Sequence, residues 1–383
     1  MQYRILSSDS HVMEPPDLWS KRIAPEFAEG APQFVADETA DWWYQEGRRV
    51  VSMGAGIQAG AKFRPEESEW RFKPYEGRFA DVRPGAYEPR ARLKDMDQDG
   101  IEVEVVYPTV GLPLFRMQGT ALTNEVFRCY NDWLAEFCAA SPSRLKGIAM
   151  INLDEVETGT AELERSAKLG LSGAMIAVSP PPGLSYALPV YEPFWAAAAN
   201  LGMPLSLHLA TERPAASLNP DRSVPLVQAT SGSLGELAIR VSLAELAIAN
   251  LIYAGVFERY PDLKVGVVEH SLAWAAAFIQ TMDNDYSSRP WREGRHMFKN
   301  EAMPSHFFHR NVFVSFQDDP LGVQLRSIIG LENLAWGSDF PHPDSTFPQS
   351  RRILQRNLEG VPDDEVAKIV GENTARWYGI PLG

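Results

Sequence analysis

The feature that most constrains this chain is a rhythm of eight short apolar runs, each set apart from the next by a longer intervening stretch. The runs are Tyr3–Ser8, Ile101–Tyr107, Leu145–Ile151, Ser172–Val178, Met203–His208, Leu263–Glu269, Asn311–Ser315 and Asn333–Ser338. Several are almost continuously hydrophobic, as in Val265-Gly266-Val267-Val268, the pattern of strands covered on both faces in a parallel sheet. Helical stretches fall between them: Ala121–Ala140, Val156–Leu169, Tyr191–Leu201, Gly235–Arg259, Ala273–Tyr286 and Leu321–Ile329. Asp99-Gly100, Leu169-Gly170 and Leu201-Gly202 each place a glycine where a helix must stop before a strand. No short-period repeat underlies the rhythm. Eight strands alternating with helices define an α/β chain, a (β/α)8 TIM-type barrel, with a doubly wound open sheet as the rival.

At 383 residues the chain is compatible with a single barrel domain over 1–383, since such barrels often exceed ~250 residues. Two regions break the rhythm. Residues 20–88 form a long insertion after the first strand, rich in Pro, Gly and aromatics that include Trp42, Trp43, Tyr44, Trp70, Phe72 and Tyr75. Long loops on barrels serve as lids, substrate loops or packed surface excursions. Arg64, Arg71 and Arg78 lie within this stretch, and an arginine fork for a carboxylate competes there with plain solvation. The run Arg289–His309, with His296, His306 and His309, reads as surface. At the other end, Pro362 and three following acidic residues start a closing C-terminal helix within 360–383.

The formal net charge of −14 argues against nucleic acid or an anionic membrane as partner. It leaves room for an anionic small molecule held through a cation. Two cysteines, Cys129 and Cys138, with no CxxC pair, give no disulfide framework. No 18-residue apolar run occurs and the first residues carry no long apolar segment, so a cytoplasmic protein is expected.

Barrels place their chemistry at the C-terminal ends of the strands. Asp9 and His11 follow the first run, His208 ends the fifth, Glu269 and His270 end the sixth, and Asp339 ends the eighth, with His342 three residues on. Asp9 and His11 are two apart and share one side of an extended strand. Imidazoles and carboxylates together suit one divalent ion: zinc foremost, with manganese, iron, cobalt or magnesium as alternatives. A lone histidine at a strand end is usually a satisfied structural residue. Three histidines and two aspartates at the strand ends of one barrel are a metal site.

These residues also carry a family resemblance. Asp9-Ser-His11-Val-Met-Glu14-Pro15, Met96-Asp97-Gln-Asp-Gly100-Ile101, Pro204-Leu-Ser-Leu-His208, Glu269-His270 with Trp274, Gly337-Ser-Asp339-Phe-Pro-His342 and Gly371-Glu-Asn373 resemble, in order and spacing, the amidohydrolase superfamily. The branch is the one that includes aminocarboxymuconate-semialdehyde decarboxylase. The resemblance implies Asp9, His11, His208 and Asp339 as metal ligands and His270 as a substrate-side group. Its usual first motif is His-x-His or Glu-x-His, so Asp9 departs from the pattern. Glu14 and Glu269 stand as further carboxylates able to join or support the metal.

Two reactions follow. In a non-oxidative decarboxylation of a small aromatic or enoic acid, the ion binds the carboxylate while Asp339 and His270 manage the proton. In a hydrolysis of an amide, lactone or C–C bond, the ion acidifies a water and Asp339 takes its proton. Lyase chemistry is favoured by the branch resembled. A barrel that binds its ligand without turnover is the non-enzymatic alternative. Glu212, four after His208, either lines the mouth or is a solvated acid. His342 orients Asp339, touches substrate or caps a loop. Trp274 either walls the pocket or belongs to the core. Gly100 and Gly371 read as backbone devices, the latter as a turn, and Asp97 and Asn373 as loop anchors. The resemblance implies a homodimer or higher homo-oligomer, with the Ala-rich stretch Leu243–Leu251 as a candidate contact.

Overall fold

A computed structural model describes residues 3–38, 40–64, 77–117, 119–213, 235, 238–291 and 296–382. Trp70, Arg71, Phe72 and Tyr75 of the aromatic-rich stretch, and Glu236 and Leu237 of the fourth helical stretch, lie outside the described residues.

Strand β1 (Leu6–Val12) is followed by β2 (Gln33–Ala36), β3 (Asp41–Gln45) and β4 (Arg48–Ser52). These last three pair antiparallel into a small sheet of their own. Its aromatics turn inward: Trp42 and Trp43 are buried, and Trp43 meets Trp19 edge-on at 4.7 Å. The remaining strands are β5 (Val103–Pro108), β6 (Leu145–Met150), β7 (Gly173–Ile176), β8 (Leu205–His208), β9 (Val265–Val268), β10 (Val312–Phe316) and β11 (Leu334–Trp336). They join β1 in one eight-stranded sheet of order β1-β5-β6-β7-β8-β9-β10-β11, with every registered pair parallel. All eight apolar runs are therefore strands, and the doubly wound alternative falls because the strand order never reverses. Every residue of β7, β8 and β9 is buried, which explains the unbroken apolar character of β7 and β9.

The seam between β1 and β11 nearly closes the sheet into a barrel. Just past β11, the Asp339 N–H donates to the Asp9 carbonyl at 2.9 Å, and the His11 N–H donates to the Phe340 carbonyl at 2.5 Å. Gly337 makes this approach possible: a Cβ there would stand 2.5 Å from the Asp9 Cβ and 2.9 Å from its backbone nitrogen.

β1 runs four residues beyond the expected Tyr3–Ser8. Ser7, Ser8 and Ser10 dilute its hydropathy, yet all are buried and each is satisfied at the strand: Ser8 Oγ donates to the Trp336 carbonyl and Ser10 Oγ to the Val105 carbonyl, both at 3.0 Å. Asp9 and His11 thus sit inside the strand rather than after it. His11 is held in the ladder opposite Tyr107, and Asp9 lies where the register shifts between Ser7 and Ser10.

The helices follow expectation with two divisions. Gly255, at φ 71°, splits the fourth stretch into Ser242–Tyr253 and Val256–Arg259. The last expected stretch splits into Pro320–Gln324 and Arg326–Ile329. The irregular run near residue 300 holds a helix, Pro304–Asn311, carrying His306 and His309. Gly100, Gly170 and Gly202 all adopt positive φ as helix stops. Near the C-terminus, α-helical Asp363–Ala367 passes through a π-helical turn, Lys368–Glu372, into Asn373–Tyr378. Gly371 is no turn residue. It lets this segment pass within 2.4 Å, measured from an added Cβ, of the Arg4 carbonyl. Asn373 does anchor loops, donating to the Leu331 and Leu334 carbonyls at 2.8 Å each.

Candidate metal site

The C-terminal mouth of the barrel concentrates backbone strain. Ala210, Glu269, Ser271 and Asp339 all lie at positive φ, a region that side-chain-bearing residues avoid without a structural reason. Glu269 and Asp339 are themselves expected site residues, and Ala210 and Ser271 stand next to the segments that carry His208 and His270.

His11 and His208 are fully buried and held alike. His11 Nδ1 donates to the Pro108 carbonyl at 2.7 Å. His208 Nδ1 donates to the Leu209 carbonyl at 2.9 Å. Each bond fixes the tautomer and turns the Nε2 lone pair inward. The two rings stand nearly perpendicular, with centroids 5.0 Å apart. His11 Nε2 lies 3.3 Å from both Asp9 Oδ1 and Asp339 Oδ1, yet it makes no hydrogen bond among the described residues. His208 Nε2 is 3.4 Å from Asp9 Oδ1. The ligand-type atoms of Asp9, His11, His208 and Glu269 fall within 4.8 Å of one another, as do those of His11, Asp339 and His342.

The electrostatics of this cluster call for a cation. Burial, then the charge of Asp9, holds the Asp339 carboxyl well above the usual range. Burial, then the charge of Asp339, pushes Glu269 up to about 8. Burial alone would raise Asp9 too, but the imidazoles of His11 and His208 outweigh it and leave Asp9 lowered. His11 is pulled down to about 3 by burial and by the neighbouring His342. Three carboxylates crowd against His11 and His342, whose desolvated imidazoles resist protonation, and against His208, whose imidazole is also buried but is held above its ordinary range by Asp9. A divalent ion relieves the repulsion among the acids and takes the orphaned lone pairs. The residues therefore fit a metal of the imidazole–carboxylate type.

Other expected residues have different placements. His342 Nδ1 donates to Asp339 Oδ1 at 2.7 Å, and its Nε2 meets Thr109 Oγ1 at 3.0 Å. Its ring lies 4.1 Å, centroid to centroid, from that of His11. Both of its nitrogens are engaged, so of the roles considered for it, orienting Asp339 is the one its contacts serve. His270 is buried beside His208, and neither of its ring nitrogens has a partner among the described residues. Burial pulls it down to about 3.

Glu14 is turned away from the metal cluster. Its carboxylate accepts the backbone N–H groups of Val110 and Gly111 at 2.9 Å each and of Thr109 at 3.3 Å. It fastens the exit of β1 to the turn after β5, and burial pushes its pKa to about 7. Glu212 is paired with Arg116. Its neighbour Arg213 pairs with Asp154 and donates to the Phe115 and Met117 carbonyls. Glu212 is thus part of a stitch across the loops that follow β5, β6 and β8. Trp274 donates from Nε1 to the Ser271 carbonyl at 3.0 Å and packs on Phe278, with ring centroids 5.7 Å apart. It is half-buried and also packs against the hydrophobic core, the second of the two roles considered for it. Arg78 binds Asp41 at 2.9 Å, and Arg64 donates to the Ala59 carbonyl.

Three participants escape a search restricted to ionisable strand ends. Gln317, directly after β10, donates from Nε2 to Asp9 Oδ2 at 3.0 Å. Thr109, directly after β5, holds His342. Tyr107 lies under the histidines, 4.9 Å from the His208 ring, and its hydroxyl bonds Ser206 Oγ at 2.8 Å and the Tyr378 hydroxyl at 2.9 Å. The strand-end rule finds Gln317 and Thr109 once neutral polar residues are admitted. Arg92 adds support from behind: it is buried, pairs with Glu104 at 2.5 Å and donates to the His11 carbonyl at 2.7 Å.

With this geometry in view, the similarities to known proteins are informative. The family model described as amidohydrolase matches residues 20–380. A gamma-resorcylate decarboxylase of Rhodococcus jostii is 26% identical over 266 residues, which is 65% of this chain and 76% of the relative. Curated relatives of the same name from Polaromonas and Rhizobium are matched over only 53% and 61% of their own length. Among solved structures, an amidohydrolase from Mycobacterium avium subsp. paratuberculosis superposes with a TM-score of 0.77 at 21% identity, covering 100% of both chains. A dihydroxybenzoic acid decarboxylase from Polaromonas, with bound manganese and 2-nitroresorcinol, gives 0.63 at 18% identity over 99% of this chain and 98% of that one. These structures support the barrel fold.

Proposed function

This chain belongs to the amidohydrolase family, and on that premise we propose that it is a metal-dependent carboxy-lyase acting on a small aromatic or enoic carboxylic acid. Asp9, His11, His208 and Asp339 hold one divalent ion, with Glu269 beside them. The carrying observation is the matched pair of imidazoles. Each is locked by a carbonyl at Nδ1 and turns Nε2 toward the same carboxylates, at 3.3 and 3.4 Å from Asp9 Oδ1. The decarboxylase names and the manganese of the neighbouring proteins support the same reading.

When bound, the ion supplies positive charge that fixes the substrate carboxylate and an adjacent oxygen and steadies the negative charge that develops. Asp339 holds a proton on its carboxyl, oriented by the 2.7 Å bond from His342. It delivers that proton to the carbon bearing the carboxylate. The carbon–carboxylate bond then breaks, its electron pair stays with the substrate, CO2 leaves, and solvent returns a proton to Asp339. His270, buried with two unpartnered nitrogens among the described residues, donates to or accepts from the substrate at the same face.

Zinc is our reading of the metal, and elemental analysis of protein purified without chelator separates it from the manganese that the Polaromonas neighbour holds. Two buried free thiols suit a cytoplasmic location. Leu246, exposed on the helix Ser242–Tyr253, supports a homodimer contact that light scattering tests. For the reaction itself, hydroxybenzoates and muconate-like acids are screened for CO2 release. Release supports the lyase. No release, together with turnover of an ester or lactone panel, overturns it in favour of hydrolysis.

A further inference from the structure

Resting on the reading of Asp9 as a metal ligand, the geometry points to Gln317 as the positioning residue that sets the rotation of the Asp9 carboxylate, so that Oδ1 alone is offered to the ion.

The sequence after β10 reads Gln317-Asp318-Asp319, and the two acids are committed elsewhere. Asp318 accepts from Arg356 at 2.5 Å and from Asn357 at 2.8 Å. Asp319 accepts the backbone N–H groups of Gly322, Leu272 and Ala273 at 2.8, 2.7 and 3.2 Å. Only the neutral residue of the three turns toward the barrel axis. Its Nε2 donates to Asp9 Oδ2 at 3.0 Å, while its main-chain carbonyl accepts from Trp336 Nε1 at 3.3 Å. A carboxylate accepts and cannot donate, so the amide group must present its N–H edge to Asp9. The assignment of nitrogen and oxygen in Gln317 follows from that chemistry.

The need for such a donor is local. The last torsion of an aspartate is broad and does not lock itself. Asp9 Oδ1 has the two histidine Nε2 atoms at 3.3 and 3.4 Å, long contacts on one oxygen that leave Oδ2 to be held by another group. With Oδ2 tied to Gln317, the one free torsion is fixed and Oδ1 stays on the histidine side. A short carboxylate can then do what a longer or more rigid side chain does unaided at this position of the resembled motif. An amide suits this role better than an acid. Asp9, Asp339 and Glu269 already crowd the site, and a fourth carboxylate would add repulsion without a donor.

The test uses Gln317→Met and Gln317→Leu, which keep the side-chain bulk and remove the donor. Chelator-stripped protein is titrated with Mn2+, followed by electron paramagnetic resonance, and separately with Co2+, followed by its visible absorption. Both variants should bind Mn2+ at least tenfold more weakly than the wild type, in line with ~10–100-fold for partners that orient ligands. The Co2+ spectrum should shift, and the melting temperature of the stripped protein should match the wild type. A loss of affinity below tenfold in both variants overturns the inference. So does a drop in stripped-protein melting temperature that accompanies the loss, since that marks a general structural role. If the wild type itself takes up no Mn2+, Co2+ or Zn2+, the metal reading fails, and this inference fails with it. Normal wild-type binding with unaffected variants defeats the positioning role alone.

Discussion

Replacing Gly337 with alanine tests whether the barrel seam and the metal site are one structure. The added Cβ would sit 2.5 Å from the Asp9 Cβ, 2.9 Å from its nitrogen and 3.1 Å from its Cα. Carbon atoms pack at roughly 3.5–4.0 Å, so β1 and the end of β11 must separate by about 1 Å. Two backbone bonds span that seam, at 2.9 Å from Asp339 to Asp9 and at 2.5 Å from His11 to Phe340. A displacement of about 1 Å stretches the first beyond hydrogen-bond range. Losing or weakening them costs about 1 kcal/mol each, and resisting the shift instead stores roughly 1–3 kcal/mol of overpacking. Either route destabilises the fold by about 2–3 kcal/mol, which for a chain of 383 residues lowers the melting temperature by about 2–4 °C. Because the clash falls on Asp9 itself, metal affinity should fall with it by about tenfold or more. Thermal denaturation of metal-loaded and stripped Gly337→Ala, with Mn2+ titration alongside, reads both effects. An unchanged melting temperature with unchanged affinity would refute the reasoning, and lost stability with intact affinity would show that the seam does not govern the site.

Three further outcomes are expected. Thr109→Val removes the partner of His342 Nε2 and loosens Asp339, so kcat should fall about tenfold with KM little changed, as steady-state kinetics will show. Arg92→Met leaves Glu104 buried without its partner and should cost about 3–5 kcal/mol in denaturant unfolding, most of it recovered by adding Glu104→Gln. Burial, partly offset by hydrogen bonds from Ser350, raises the pKa of Asp99 from 3.8 to about 6. A raised acid stabilises the fold while protonated, and that contribution is fully present below pH ~4 and lost as the pH climbs through ~6. Wild type should therefore lose on the order of 2–3 kcal/mol relative to Asp99→Asn between pH 4 and pH 7; parallel urea curves at both pH values would contradict this.

The strand count, their parallel order and the helix stops were legible because burial on both faces writes continuous apolar runs, and because glycine alone stops helices cheaply at positive φ. The extent of β1 was not legible. Its serines look like a loop until their hydroxyls are seen bonded to neighbouring carbonyls. His208 and Asp339 were visible as polar residues ending apolar runs. The work of Glu14 was hidden, since a carboxylate that gathers three backbone N–H groups reads in sequence like any acid near a site. Glu212 was hidden in the same way, its partner Arg116 lying 96 residues away. Gln317 escaped for the opposite reason: it carries no charge, and its importance arises only from the residue it faces across the barrel.

The seam described above also has a meaning in time. Strand β1 ends at Val12 and its neighbour β11 begins at Leu334, so the ribosome releases one side of the site more than three hundred residues before the other. Through most of its synthesis the nascent chain carries Asp9 and His11 on an uncovered edge of strand, open to wrong pairing. Such distant partners make folding slow. Metal capture by the full ligand set is then a late event, one that reports that the barrel has closed correctly rather than one that starts its assembly.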